Sequence, residues 1–276
     1  WGLSAWGPKF DGSNVVQFDG VSRPYAYQGD NWKKFYNTGH TVTNSVALTG
    51  GSETQNFRFS AAHLKNTGVM PNSGFERVNL SLAANSKMGK KLTFGAKVLY
   101  SNENVKNRPN VSDSPGNAFL SLYYLPGDVN VTNLIGDPNK PGAVPSTDMQ
   151  AEKGITIFDG KAPGEEFQVN SNLWTQNPYW AAYQQINSDV RDRVISTGTI
   201  RYDITDFLYV SGMAGMDWFT KKGTRLTPQG TGFNRGGNMT EYENRRREIN
   251  FQYLVGFQKT YGKIGIDAYF GGNRMR

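Results

Sequence analysis

The sequence predicts an all-β fold: an antiparallel membrane β-barrel segment of about eight strands, with long loops gathered at one end. Three observations predict it. Apolar residues recur at every second position in eight separate stretches, the period of a strand with one oily and one polar face. The connections between these stretches are alternately tight and long. No run of the chain approaches the roughly 18–20 apolar residues of a membrane-spanning helix.

The strands follow in order. After an irregular stretch over 1–39, Val42, Val46 and Leu48 alternate with Thr41, Thr43, Ser45 and Thr49. "GGSETQ" at 50–55 is a turn, and Phe57, Phe59 and Ala61 then alternate with Arg58, Ser60 and Ala62. The loop "NTGVMPNSG" at 66–74 leads to Val78, Leu80, Leu82 and Ala84. "SKMGKK" at 86–91 turns the chain into Leu92, Phe94, Ala96, Val98 and Tyr100. A long interruption at about 102–188 holds the breakers "NRPN", "SPGN", "LPGD" and "GDPNKPGAVP". Alternation resumes at Val194, Gly198, Ile200, Tyr202 and Ile204, turns at "DITD" (203–206) and continues through Leu208, Val210, Ala214, Met216 and Trp218. A loop over about 220–246 precedes Ile249, Phe251, Tyr253, Val255 and Phe257. "KTYGK" at 259–263 turns these into Ile264, Ile266, Ala268 and Phe270.

Tight turns after odd strands and long loops after even ones suit a membrane barrel, whose two ends face different compartments. The opposite faces carry different chemistry. One bears Arg58, Arg77, Lys97, Arg191, Arg193 and Arg201; the other is oily, with Tyr100, Tyr202 and Trp218 toward strand ends, where interfacial rings belong. A soluble β-rich glycan-binding module accounts for the alternation equally well, with the oily face as its core, but gives no reason for one-ended loops.

Composition narrows the function classes. The 276 residues include 32 Gly, 12 Pro and no Cys, so disulfides and thiolate metal sites are excluded. The net charge of +7 is scattered; its one cluster, Arg245-Arg246-Arg247, is flanked by Glu241, Glu243 and Glu248, so no nucleic-acid partner is expected. His40 and His63 are far apart and no ligand spacing is present, so no metal is expected. "GTGFNRGG" at 230–237 lacks the spacing of a dinucleotide loop, and no nucleophile stands with a base; no cofactor, no catalytic residue and no enzyme activity are expected.

An ordered series of words carries a family resemblance. Trp6-Gly7-Pro8-Lys9-Phe10-Asp11-Gly12 resembles the "SWGPKxDG" of SusC/RagA-type TonB-dependent outer-membrane transporters, and Trp32-Lys33-Lys34-Phe35-Tyr36-Asn37-Thr38-Gly39 resembles their "WKxFFxTG". Asn44-Ser45-Val46, Leu48-Thr49-Gly50-Gly51, Tyr124-Leu125-Pro126-Gly127-Asp128 and Asn177-Pro178-Tyr179-Trp180 follow in the family's order, thinning after about 205. The resemblance implies an integral protein of a Gram-negative outer membrane that imports oligosaccharides or peptides. Its barrel would have about 22 strands, of which this chain supplies the first eight or so. It further implies a SusD-like surface lipoprotein as lid, a TonB complex as the source of energy, membrane lipid around the wall, and a plug and remaining barrel of the same protein. The chain opens at Trp1 without Met and closes on "GGNRMR", and is expected to be a piece of a longer polypeptide. A TonB-dependent siderophore or cobalamin receptor has a similar wall and remains an alternative.

Two domains are expected: a lead-in from plug to barrel over 1–39, and the first part of the barrel over 40–276, with its long extracellular loop at 102–188. Trp6, Asp11 and Gly12 are expected at the plug–barrel joint in a structural role. Tyr123, Tyr124, Trp174, Tyr179 and Trp180 are candidate substrate-binding rings, since aromatic faces stack on sugars and apolar side chains; the competing reading is an aromatic core inside the loop.

Overall fold

The computed structural model describes residues 7–111, 115–169 and 176–276. A short hairpin, β1 (Asn14–Val16) and β2 (Ser22–Pro24), is followed by helix α1 (Asn31–Phe35). Four strands come next: β3 (His40–Gly51), β4 (Gln55–Thr67), β5 (Gly74–Met88) and β6 (Leu92–Lys106). The long insertion contains α2 (Ala118–Tyr123), a 3₁₀ turn (Val131–Ile135), α3 (Thr147–Lys153) and α4 (Pro178–Tyr183). The last four strands are β7 (Ile186–Asp203), β8 (Leu208–Thr227), β9 (Asn238–Tyr261) and β10 (Ile264–Met275).

Strands β3 to β10 form one eight-stranded sheet in sequence order, every neighbour antiparallel. Such a meander needs only hairpin links, and the tight ones lie together at one end. The last of them places Gly262 at φ 60, a left-handed conformation that glycine adopts without penalty.

The register aligns the oily positions into rows. Val46, Ala61, Leu80, Tyr100, Val194 and Trp218 form one row; Leu92, Tyr202, Val210, Val255 and Phe270 form another. On β9 the apolar parity runs from Ile249 to Phe257, with Arg247 level with Trp218 at its upper border. Ten residues at ~3.4 Å each, tilted by ~40°, span about 26 Å, the height of a lipid-facing band. Beyond the Tyr100–Trp218 row this face turns polar with His63, Asn102, Asp192 and Arg245.

The apolar face is uncovered. Val46, Leu48, Phe57, Leu82, Phe251 and Tyr253 are all exposed, and among the described residues no second sheet packs on them. A soluble sandwich would bury this face, so the sandwich alternative is not what the chain forms.

The buried core lies at the other end, in a cap over the long connections. Phe35, Leu122, Val129, Val131, Leu134 and Tyr179 are its centre. The stretch 7–39 packs on this cap. Asn31 donates to Val129 O at 2.9 Å and accepts from Val131 N, Gln28 N donates to Gly127 O, and Phe35 is buried among the insertion's side chains. The cap is tied to the sheet by Asn37 N to Val69 O (2.8 Å) and Asn72 Nδ2 to Ala182 O (3.1 Å).

Candidate functional site

The cap is built from short helices with side-chain caps. Asn177 accepts from Tyr179 N at 2.8 Å and Trp180 N at 3.3 Å, and Pro178 follows at the first helical position, where its missing N–H costs nothing. The amide of Asn177 donates in turn to Leu134 O and Phe167 O, both at 2.7 Å, so one side chain joins three segments. Asn117 starts α2 in the same way, accepting from Phe119 N at 3.1 Å.

Beneath α4 sits Glu166, 0% exposed. Its carboxylate accepts from Asn177 N (2.7 Å), Gly232 N (2.6 Å) and Gln176 Nε2 (3.3 Å). Burial pushes this carboxyl above its usual 4.5 while the hydrogen bonds from Gly232 and Asn177 pull it back. Lys161 donates to Glu166 O at 3.1 Å and bonds Gln168; burial lowers its ammonium while Glu166 and Asp159 favour the charge. These hydrogen bonds hold the loop together.

The candidate rings separate into two sets. Trp180 is 0% exposed and Tyr179 only 7%, so both are interior side chains of the cap and not surface rings. Trp180 Nε1 donates to Thr231 Oγ1, and burial drives the Tyr179 phenol up to about 12. Tyr123, by contrast, is 60% exposed and stands edge-on to Tyr124 at 5.1 Å. Trp174 and Trp6 lie outside the described residues. Asp11 accepts from Ser13 N and Oγ, which lowers its carboxyl, and Gly12 N donates to Tyr25 O; both residues are exposed.

Residues missed from sequence complete the surface. Trp32 stacks on Tyr36 (5.9 Å, 11°) and meets Phe119 at 5.2 Å, and Phe119 stacks on Tyr123 at 6.4 Å. The rings form a continuous strip from α1 across α2. The spacing of Phe119 and Tyr123 on one helix is the signal that was available, since residues four apart share a helical face. Tyr36, at one end of the strip, borders a cleft of about 550 Å³ between the cap and the polar face of the sheet. A larger depression of about 1000 Å³ lies at the end of the sheet with the tight turns, lined by residues of both parities, among them Phe57, Ala84, Asn85, Thr199, Phe251 and Gln252. Among the described residues no group of three or more His, Asp or Glu side chains converges as metal ligands, and Asp137 caps its own turn through Asn139 N at 2.8 Å.

No protein-family model matches the sequence, and no curated protein matches it. Solved structures do match. The RagAB peptide importer in its closed-closed state aligns with TM-score 0.65 and 14% identity over 96% of this chain and 27% of that chain. The RagAB peptide transporter aligns with TM-score 0.66 and 15% identity, over the same 96% and 27%. The open-open state of RagAB gives TM-score 0.65 and 15% identity over 89% of this chain and 25% of that chain. The chain thus spans about a quarter of the structures it matches, and the likeness is one of fold: an antiparallel sheet corresponding to a wall segment of a transporter barrel.

Proposed function

We propose that this chain is the wall and outer cap of a TonB-dependent outer-membrane importer. The importer takes up peptides or oligosaccharides, with a SusD-like surface lipoprotein closing over the loop end. The observation that carries the reading is the uncovered apolar face. It forms a band about 26 Å tall, bordered by Tyr100 and Trp218, on a sheet whose loops fold into a cap at one end only. The resemblance of the ordered sequence words to SusC/RagA-type transporters and the fold likeness to a peptide importer support the same reading.

The division of labour follows from the two faces. The oily face meets acyl chains, and within the apolar band each inner strand, β4 to β9, has a hydrogen-bonded neighbour on both sides, as a dry environment requires. The polar face carries its charges toward a wet interior, held by pairs such as Arg193–Asp217 and Arg191–Glu103. The outer strands β3 and β10 each leave one edge open, which further strands of the same protein would cover in lipid. The Asp11–Gly12 turn would meet the plug where the cap faces the interior.

The test is uptake. Cells expressing the whole protein with its lipoprotein partner are fed labelled peptide and oligosaccharide pools, with and without TonB. TonB-dependent uptake of either pool is expected, with the protein extracted from the outer membrane only by detergent. Extraction by salt alone, or uptake of ferric siderophores and of neither pool, contradicts the reading.

A further inference from the structure

We infer that the cleft under the cap is a recognition site for the free carboxylate of a peptide, reached along the aromatic strip; the inference rests on the import reading above. Charge is the first argument. Arg108, Arg191 and Lys221 line the cleft, with Lys106 at its rim on the opposite parity of β6, against two carboxylates, Glu103 and Asp189. Asp189 is 6% exposed and is shared by two cations, Arg108 at 3.1 Å and Lys221 at 3.3 Å, while Glu103 pairs with Arg191 at 2.6 Å. The lining therefore holds positive charge in excess of its own counterions. Arg77 extends the imbalance. It occupies the same cross-strand row as Glu103, Arg191 and Lys221, and among the described residues its buried Nε has no hydrogen-bond partner. An entering carboxylate supplies the missing charge, and guanidinium groups are suited to hold it by two parallel bonds.

The walls say what carries the carboxylate. Val69, Met70, Phe75, Val105 and Pro109 make one side apolar, which offers few partners to the hydroxyl-rich edge of a sugar and a suitable surface to peptide side chains. Tyr36 is both a wall of the cleft and the end of the strip Tyr36–Trp32–Phe119–Tyr123, so an extended chain can lay side chains on the rings while its acidic group descends to the cations.

The experiment uses the whole protein in detergent micelles. A casein peptide digest is offered either with free carboxyls or with carboxyls blocked as amides, and the retained fraction is read by mass spectrometry. Oligogalacturonate and its methyl ester form the second arm. Free-acid peptides are expected to be retained at least tenfold over their amides, with the preference falling as salt is raised. Arg191→Gln with Lys221→Gln is expected to abolish the preference, and Glu103→Gln, which removes a competing anion, to increase it. Equal retention of acids and amides, no retention of either, an unchanged preference in both variants, or retention of the uronate ahead of the acidic peptides would each overturn the inference. Uptake measured in cells separates these failures from a failure of import itself: a protein that imports peptides without distinguishing acids from amides keeps its function and loses this site.

Discussion

Trp180 Nε1 donates to Thr231 Oγ1 at 3.0 Å, joining the insertion before β7 to the loop between β8 and β9. The two loops are far apart in sequence, and the bond lies in an interior where a lost partner leaves an indole N–H unsatisfied. Trp180→Ala removes both the ring and the bond. We expect it to cost the cap ~3–5 kcal/mol while the sheet still assembles. Limited proteolysis should then cut within the cap and leave a heat-modifiable barrel; uncut cap would show that Trp180 is not its keystone.

Gly142 stands at φ +90, and a Cβ there would overlap the backbone N of Trp180. Gly164 is also left-handed, at φ +86, but a Cβ there meets nothing closer than Lys140 Nζ at 3.6 Å. Gly142→Ala should therefore destabilise the cap by ~2–5 kcal/mol, from strain and overlap together, and Gly164→Ala by ~1–2 kcal/mol from strain alone. Cap unfolding followed by tryptophan fluorescence checks the order of the two.

Glu166 gives the cap a pH dependence. Burial holds its carboxyl above 4.5, so the folded cap binds this proton more tightly than the unfolded chain does. The stability that this contributes is complete below about pH 4.5 and is lost as the pH rises through the elevated value. Glu166→Gln should flatten that slope. Denaturant midpoints between about pH 4 and about pH 8 make the measurement; a wild-type cap that gains stability with rising pH would contradict it.

Of the candidate rings, Tyr123 is exposed and Tyr124 half-buried, so under the proposed function this pair is the one left to meet a ligand. Replacing both by Ala should weaken ligand capture roughly tenfold, at ~0.5–1.5 kcal/mol for each ring removed, and leave cap stability within ~0.5 kcal/mol. Capture assays on cells separate this pair from Tyr179, whose replacement should damage the cap first.

The eight strands were legible because one apolar and one polar face write a period of two into the sequence. Their outer ends were not. Beyond the Tyr100–Trp218 row both faces are polar, so β9 begins at Asn238 and β8 runs to Thr227 where no alternation marks them. The cap was illegible for a different reason. Helices of six residues carry too few turns to show a periodic face, and burial of Tyr179 and Trp180 depends on segments far away in sequence. The capping sequence Asn177-Pro178 was the local sign of α4, and Asn117 that of α2.

The central claim is that the greasy face meets lipid, and neighbouring residues on β9 test it most directly. Phe251 lies near the middle of the apolar band, and Gln252, the next residue, points to the polar face. Phe251→Arg and Gln252→Arg are compared in the whole protein reconstituted in phospholipid vesicles, by reversible unfolding in denaturant. The account predicts a loss of ~2–4 kcal/mol for Phe251→Arg and near-neutrality for Gln252→Arg. Equal cost at both positions, or the reverse order, would contradict it.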